Sequence, residues 1–402
     1  MEPVFQIALP ILKRLKQEGF QAFFVGGSVR DHLLKRQIGD IDIATSAKPG
    51  EVQRLFPKTV DVGSAHGTVI VLFNGVPYEV TTFRSEQGYK DFRRPETVTF
   101  IESISEDLKR RDFTINAMAM EEDGRIIDYF NSRKDLNDRI IRTVGRPEER
   151  FSEDALRMMR ACRFVSQLGF TLSEDTKKGV MKKRQLLQNI SVERKLNEFD
   201  KLLAGEDRDK AFSLLLETGM EEFLPSLHGK REALKKFTIQ DKHLLTSSDE
   251  IWTLLLYFLS PENESEFLRN WKMPVKRIKH LLHTFSVLKL RRKLRIWTNS
   301  LLYHAGLESA KTAEKVNQVI NGKAGTVPLS DLEKQYADLA IHNREELAIT
   351  GHDLIEWSQK KPGKWMSEIL MSAEEKVLEQ EISNTKIELK EWFLTCINPK
   401  LD

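Results

Sequence analysis

The chain has 402 residues, too many for one ordinary hydrophobic core, so two to four domains are expected. Charged residues make up 31% and hydrophobic ones 40%, the balance of a soluble, helix-rich protein, and no apolar run approaches the ~18–20 residues of a bilayer span, so no membrane partner is expected. A formal net charge of +3 neither excludes nor demands nucleic acid, and two distant cysteines, Cys162 and Cys396, make no disulfide or metal framework and suit a reducing, cytoplasmic setting.

The first segment, MEPVFQIALPILKRLKQEG, reads as an amphipathic helix closed by Gly19. From about Ala22 to Val144 short β-like runs recur: AFFV, DIDIAT, TVDV, TVIVLF, YEVTTF, RIIDYF and IIRTV. Helical segments, PGEVQRLF and TINAMAM among them, interrupt these runs, which gives an α/β or α+β pattern. From Pro147 strand signals nearly vanish. EDALRMMRACRFVSQLGF, SVERKLNEFDKLLAG and KAFSLLLETGMEEFL instead carry apolar positions at helical spacing. The division falls near VGRPEERF, where Gly145 and Pro147 punctuate the chain.

Chemistry concentrates first in FFVGGSVRDHLLKRQIGDIDIAT. A strand running into Gly26-Gly27-Ser28 and then a short helix leaves backbone N–H groups free to hold phosphate oxygens. Arg30, one turn further, can add a charge-assisted bond, although a plain turn with Arg30 paired to Asp31 or Asp40 explains the same residues. On a strand, Asp40 and Asp42 would share one face while Ile41 and Ile43 take the other. Two same-face carboxylates repel unless a cation lies between them. Beside an anion-binding turn, they form the layout for a Mg²⁺-bound nucleoside triphosphate.

Taken in order, GGSVRD…GDIDIAT, RRDFTINAMAM and RFSEDALRMMRACRF resemble the class II tRNA nucleotidyltransferases, the CCA-adding enzymes of the DNA polymerase β-like superfamily, with bacterial poly(A) polymerases as close relatives. ERKLNEFDKLLAGEDRDKAFSLLLETGMEEFLPSL is similar to the family's RNA-binding region, and ELAITGHDLIEW to a tail motif of Bacillus-type members. The resemblance implies an α+β protein with a catalytic head over residues 1–146, a neck over 147–205, a body over 206–300 and a tail over 301–402, the last three helical. Mg²⁺ is the implied cofactor, and tRNA, ATP and CTP are the implied partners; a homodimer is compatible with it. Two turns depart from the family: Lys35 stands where glycine is common, and FNSRKDL lacks the usual glycine pair.

Under this reading Asp40 and Asp42 are catalytic and hold the metals. Glu79, in YEVTTFR, is the choice for a third carboxylate from a neighbouring strand, with a solvent-facing strand-edge residue as its bland alternative. Asp112 is the runner-up, but at the start of RRDFTINA it looks more like a helix N-cap with Asn116 in the next turn. Gly27, Arg30 and Arg111 are assigned to the nucleotide. For Arg111 the alternative is a solvated helix end in the basic run Lys109-Arg110-Arg111.

SEDALRMMRACRF admits two accounts. Structurally, Ser152 would cap a helix, Glu153 and Asp154 would sit in its first turn, and Asp154–Arg157 would be an i,i+3 ion pair. Functionally, cytosine and adenine each present an amino donor beside a ring-nitrogen acceptor. Asp154 can accept from the first and Arg157 can donate to the second. Guanine and uracil reverse the order, and each mispaired buried group costs ~1–3 kcal/mol. Arg160 and Arg163, further along the helix, are assigned to sugar and phosphates.

RSEQGYKDFRRPE reads as a long mobile loop, with an ordinary β-hairpin tip as the alternative. Because its DFRRP resembles the family pattern, full CCA addition is expected over CC addition. Basic stretches VKRIKHLLHTF and LKLRRKLRIW offer phosphate contacts to tRNA. The alternatives are a poly(A) polymerase, a partial CC- or A-adding enzyme, or a non-catalytic RNA-binding protein.

Overall fold

The computed structural model describes residues 1–90, 94–322 and 325–397. These form two compact units, one of Met1–Thr238 with Asn270–Lys272 and the other of Ile239–Arg269 with the chain from Met273 onward. The fold is α+β.

The first unit opens with α1 (Pro3–Gln17), which buries Phe5, Ala8, Ile11, Leu12 and Leu15 at helical spacing. Next come β1 (Ala22–Val25), α2 (Gly27–Leu33), β2 (Asp42–Thr45), α3 (Pro49–Leu55), β3 (Thr59–Gly63), β4 (Thr68–Phe73) and β5 (Val76–Thr82). The pair β6 (Arg84–Lys90) and β7 (Arg94–Phe100) precedes α4 (Ile104–Lys109), β8 (Met118–Met120), β9 (Ile126–Asp128), α5 (Ser132–Asn137) and β10 (Ile140–Ile141). Seven strands make one mixed sheet in the order β3-β4-β5-β2-β1-β8-β9, in which β2 and β5 are the parallel pair.

Alternation along β1 explains its continuous apolar run. Phe24 turns to α1, where its ring meets that of Phe5 at 4.9 Å, edge to face. Phe23 and Val25 point the other way, into a cluster with Ala44, Phe83, Ile104, Leu108 and Ala119. The sheet is thus covered on both faces near its centre, and β1 is buried throughout.

Helices carry the rest of this unit: α6 (Pro147–Glu153), α7 (Leu156–Leu168), then after the two-residue β11 (Thr171–Leu172), α8 (Glu174–Lys183), α9 (Val192–Leu203), α10 (Arg208–Thr218) and α11 (Arg231–Thr238). The end of α7 lies close to the turn after α9. Ser166 Oγ donates to Leu202 O at 2.5 Å, and any Cβ at Gly205 would overlap Ser166. Glycine there is a packing requirement.

In the second unit α12 (Ser248–Leu259) starts from a capping box, Ser247 with Glu250. After α13 (Glu264–Asn270), most of whose residues belong here, α14 (Val275–Leu294), α15 (Asn299–Ala305) and α16 (Leu307–Asn321) follow, with shorter helices beyond. Arg291, in the basic stretch expected to meet phosphates, is buried and paired with Glu314 at 2.9 Å, so its charge is spent inside the fold. Arg277 is likewise tied to Asp249. Among the described residues no helix is long and apolar enough to cross a membrane.

Two expectations are corrected. TINAMAM is not a helix: Thr114–Asn116 makes one 3₁₀ turn and Met118–Met120 is strand β8. A short apolar run has no period to separate the two, and here pairing with β1 decides. RSEQGYKDFRRPE is not an open loop, because β6 and β7 pair antiparallel from Arg84↔Phe100 to Lys90↔Arg94; Asp91, Phe92 and Arg93 lie outside the described residues. The two departures from family glycines keep the left-handed turns, with Lys35 at φ +53° and Asn131 at φ +57°.

Candidate active site

The acidic strand supplies the first wall. Strand β2 starts at Asp42, so Asp40 lies just before it on an exposed segment. The partner that the sheet provides is Glu79: parallel register sets Asp42 opposite Glu79 on β5, an interior strand flanked by β2 and β4. Glu79 is therefore not on an edge strand, although its side chain is exposed as the alternative had it. Asp42 stands where the apolar cluster below β2 gives way to a cleft. Its carboxyl is pushed up to about 6, chiefly by burial and then by the Glu79 charge; Arg111 opposes the rise and Asp40 adds to it.

The second wall is the turn from β1 into α2. Gly26 has φ +75°, and a Cβ there would lie 3.1 Å from Arg111 Nη1 and 3.3 Å from Asp42 Oδ2. Close approach of backbone to charged side chains thus singles out Gly26. Gly27, the glycine expected from sequence, begins the helix and would tolerate a Cβ at 3.5 Å from Arg30 Nη2. Arg30 forks onto Asp31 at 2.9 and 2.8 Å, as the plain reading had it, but its third nitrogen reaches Asn116 Oδ1 at 2.8 Å and it lines the cleft.

Arg111 is no solvated helix end. Burial pulls its guanidinium below the ordinary arginine range, against the charge of Asp107, which lies 3.6 Å away. Asp112 accepts from Phe113 N at 2.8 Å and Asn116 Nδ2 at 3.2 Å, but it is not the helix N-cap expected of it, because Phe113 holds that place before the 3₁₀ turn Thr114–Asn116. Its other oxygen takes Arg160 Nε at 2.8 Å. Burial raises this carboxyl, yet Arg160 and Asn116 together hold it well below the usual carboxylate range.

The third wall differs from expectation in a telling way. The helix through SEDALRMMRACRF is broken: α6 ends at Glu153, Asp154 adopts φ −136° and ψ 103°, and α7 begins at Leu156. Ser152 lies inside α6 and bonds back to Glu148 O, so it caps nothing. Asp154 itself accepts the Leu156 N–H at 3.0 Å. Asp154 and Arg157 do not pair with each other. Asp154 takes Arg194 of α9 at 2.9 Å, while Arg157 takes Glu153 at 2.6 Å and the carbonyls of Arg150 and Arg110, each at 3.1 Å. Arg160 reaches across to Asp112, and Arg163 pairs with Glu198 of α9 at 3.0 Å. Arg30, Arg160 and Arg163 surround the Phe164 ring at 5.3, 5.5 and 4.4 Å from its centroid.

These walls enclose one cleft of about 580 Å³, within the range of small-molecule sites. Gly27, Arg30, Asp42, Glu79, Arg111, Asp154, Arg157, Arg160 and Arg163 all line it; Asp40 does not. Arg84, Glu86, Arg110, Phe164 and Gln167 join them without having been singled out from sequence. Glu86 bridges Arg84 at 2.8 Å and Arg110 at 3.1 Å, which ties the β6–β7 hairpin to the residue whose carbonyl holds Arg157. The charge alternation in RSEQ was the available signal. Arg111 Nε and Arg163 Nε are buried without a hydrogen-bond partner among the described residues. A ligand in the cleft would complete their bonding.

Comparison with known proteins supplies the wider setting. The model for the Poly A polymerase head domain matches residues 22–142, that for the "Probable RNA and SrmB-binding site of polymerase A" matches 169–230, and one for a tRNA nucleotidyltransferase domain 2 matches 243–393. CCA-adding enzymes of Geobacillus sp. (strain WCH70) and Bacillus subtilis (strain 168) are each 47% identical to the chain; both alignments cover 98% of it, and 98% and 99% of the respective relative. The crystal structure of the Bacillus stearothermophilus CCA-adding enzyme in complex with CTP superposes with a TM-score of 0.93 at 45% identity, covering 100% of this chain and 99% of that one.

Proposed function

From the chain's membership of the CCA-adding enzymes, a family of nucleotidyltransferases, we propose that it adds C, C and A in turn to the 3′ end of tRNA in the cytoplasm, drawing on CTP and ATP and releasing pyrophosphate. One observation carries the residue assignment: a base-reading pair, Asp154 and Arg157, and an acidic pair, Asp42 and Glu79, open onto the same cleft.

The acids suit a divalent cation. Every donor is a carboxylate oxygen, the preference of a hard ion, and Asp42 carries an electrostatic load that such an ion would relieve. Among the described residues no three acidic, His or Cys side chains are already gathered as a metal group. Mg²⁺ is commonly held by one or two carboxylates together with substrate phosphates. Asp42, with Asp40 and Glu79 beside it, would hold the ion. When bound, it would supply Lewis acidity at the α-phosphate and neutralise charge on the leaving pyrophosphate.

The remaining work belongs to side chains. Gly26 lets the turn approach the triphosphate closely, and Arg30 and Arg111 offset its charge. Phe164, already ringed by guanidinium groups, holds Arg160 and Arg163 toward the cleft. Asp154 accepts from the amino group of cytosine or adenine while Arg157 donates to the ring nitrogen. No nucleic-acid template is needed, because the donor and acceptor order of this pair refuses G and U. Residues 1–146 act as head, 147–205 as neck, 206–300 as body and 301–402 as tail, the last two engaging tRNA.

Incubation of purified protein with tRNA lacking CCA tests this reading. CTP alone should give two additions, CTP with ATP three, and GTP or UTP almost none. Asp154→Ala and Arg157→Ala should lose that selection. Homopolymeric A tails on arbitrary RNA would instead mark a poly(A) polymerase.

A further inference from the structure

The two residues that read the base are not braced by each other. Asp154 sits in the break between α6 and α7, where its Oδ1 is committed to Leu156 N–H and its Oδ2 to Arg194 Nη2. Arg194 comes from the first turn of α9, 40 residues on in the chain. Its side chain is largely buried, at 22% exposure, and its Nη1 finds no hydrogen-bond partner among the described residues. One turn along α9, Glu198 holds Arg163 at 3.0 Å and lies 3.9 Å from Arg160. The i,i+4 face of α9 formed by Arg194 and Glu198 therefore points at the nucleotide-facing side of α7.

We infer that Arg194 is a positioning residue for base selection: it orients the Asp154 carboxylate so that its remaining lone pairs meet the amino group of cytosine or adenine. This rests on reading Asp154 and Arg157 as the base-reading pair. It departs from the RNA-binding description of the family model that covers residues 169–230, because Arg194 and Glu198 of α9 hold Asp154 and Arg163, which line the nucleotide cleft. Residue 154 lies at the end of a helix, with non-helical φ and ψ, so its backbone alone does not fix its side chain. With Oδ1 on the Leu156 N–H, a guanidinium donor at 2.9 Å on Oδ2 completes the fixing, with a planar geometry that an ammonium group lacks. Selection by donor and acceptor order depends on that orientation, since a carboxylate free to rotate, or to take a proton, would tolerate a carbonyl or N–H in the same place.

The test compares wild type with Arg194→Lys and Arg194→Met by equilibrium binding of CTP, ATP, UTP and GTP and by single-nucleotide incorporation into tRNA lacking CCA. The preference for CTP over UTP should fall about tenfold or more in R194M and less in R194K, with KM for CTP raised more than kcat is lowered. tRNA affinity should stay within about twofold. A wild-type CTP:UTP ratio in whichever variant folds, or lost tRNA affinity with that ratio intact, overturns the inference. Asp154→Ala separates the two levels: if it also leaves the ratio intact, the base-reading assignment itself fails, whereas a changed ratio in D154A beside an unchanged one in R194M refutes the role of Arg194 alone.

Discussion

Asp42 and Glu79 stand opposite each other in parallel register across β2 and β5, and burial together with the Glu79 charge pushes the Asp42 carboxyl up to about 6. The folded protein therefore keeps a proton that the unfolded chain, with an ordinary carboxylate, releases from about pH 4. Stability is lost as pH rises through the interval between those values, and the full cost is present above pH 6. Asp42→Asn removes it. In divalent-free buffer the variant should gain on the order of 2 kcal/mol at pH 8 and almost nothing at pH 4, while nucleotide addition stops. Thermal unfolding at the two pH values checks the sign; equal or lower stability at pH 8 would contradict it.

The pair Asp112–Arg160 behaves oppositely. Its carboxyl is held below the usual range despite burial, by the Arg160 guanidinium and the Asn116 amide. Its contribution is present above the unfolded carboxylate value and lost as pH falls below it. Asp112→Ala leaves Arg160 without its 2.7 Å partner and should cost about 3 kcal/mol near neutrality. Urea unfolding at pH 7 and pH 3 should show the difference between variant and wild type shrinking at the acid end.

At the phosphate turn, two adjacent glycines should respond unequally. Gly26→Ala forces a left-handed φ of +75° on alanine, at ~1–2 kcal/mol, and crowds Arg111 and Asp42. A tenfold rise in KM for CTP, about 1.4 kcal/mol, is expected. Gly27→Ala meets only ordinary contacts and should change KM less than threefold. Steady-state kinetics of the two variants decides.

Lys35 occupies a left-handed turn at φ +53°, a conformation that strains any residue bearing a Cβ. Lys35→Gly should relieve that strain and, after the greater flexibility of glycine in the unfolded chain, still stabilise by about 0.5–1 kcal/mol. A lowered melting midpoint would show that Lys35 makes a compensating interaction.

What the sequence disclosed follows from the range of the forces involved. The period of α1, the buried run of β1 and the change from strands to helices near Pro147 are local, and they could be read. So could the types of residue at the cleft, because opposing charges without an apolar purpose stand out in SEDALRMMR and GDIDIAT. Pairings between distant segments could not. Nothing in the order of residues says that Arg194 rather than Arg157 holds Asp154, or that Glu79 rather than Asp40 faces Asp42 across the sheet. The break at Asp154 was hidden for a related reason: Glu153 and Asp154 suit a helix's first turn as well as its interruption, and contact with α9 selects the latter. The β6–β7 hairpin stood only as the alternative to a loop because RSEQGYK, the sequence of β6, carries no apolar residue at every second position.

The account turns on the acids of β2 and its neighbours being the chemical centre. Its most direct test is the rate of a single C addition to tRNA lacking CCA, at saturating CTP and Mg²⁺, in Asp42→Ala beside wild type, with folding checked by circular dichroism and CTP affinity by equilibrium binding. The account predicts a folded variant that still binds CTP and adds it at least a thousandfold more slowly, the loss of roughly 4 kcal/mol of transition-state stabilisation. Addition at the wild-type rate would contradict it.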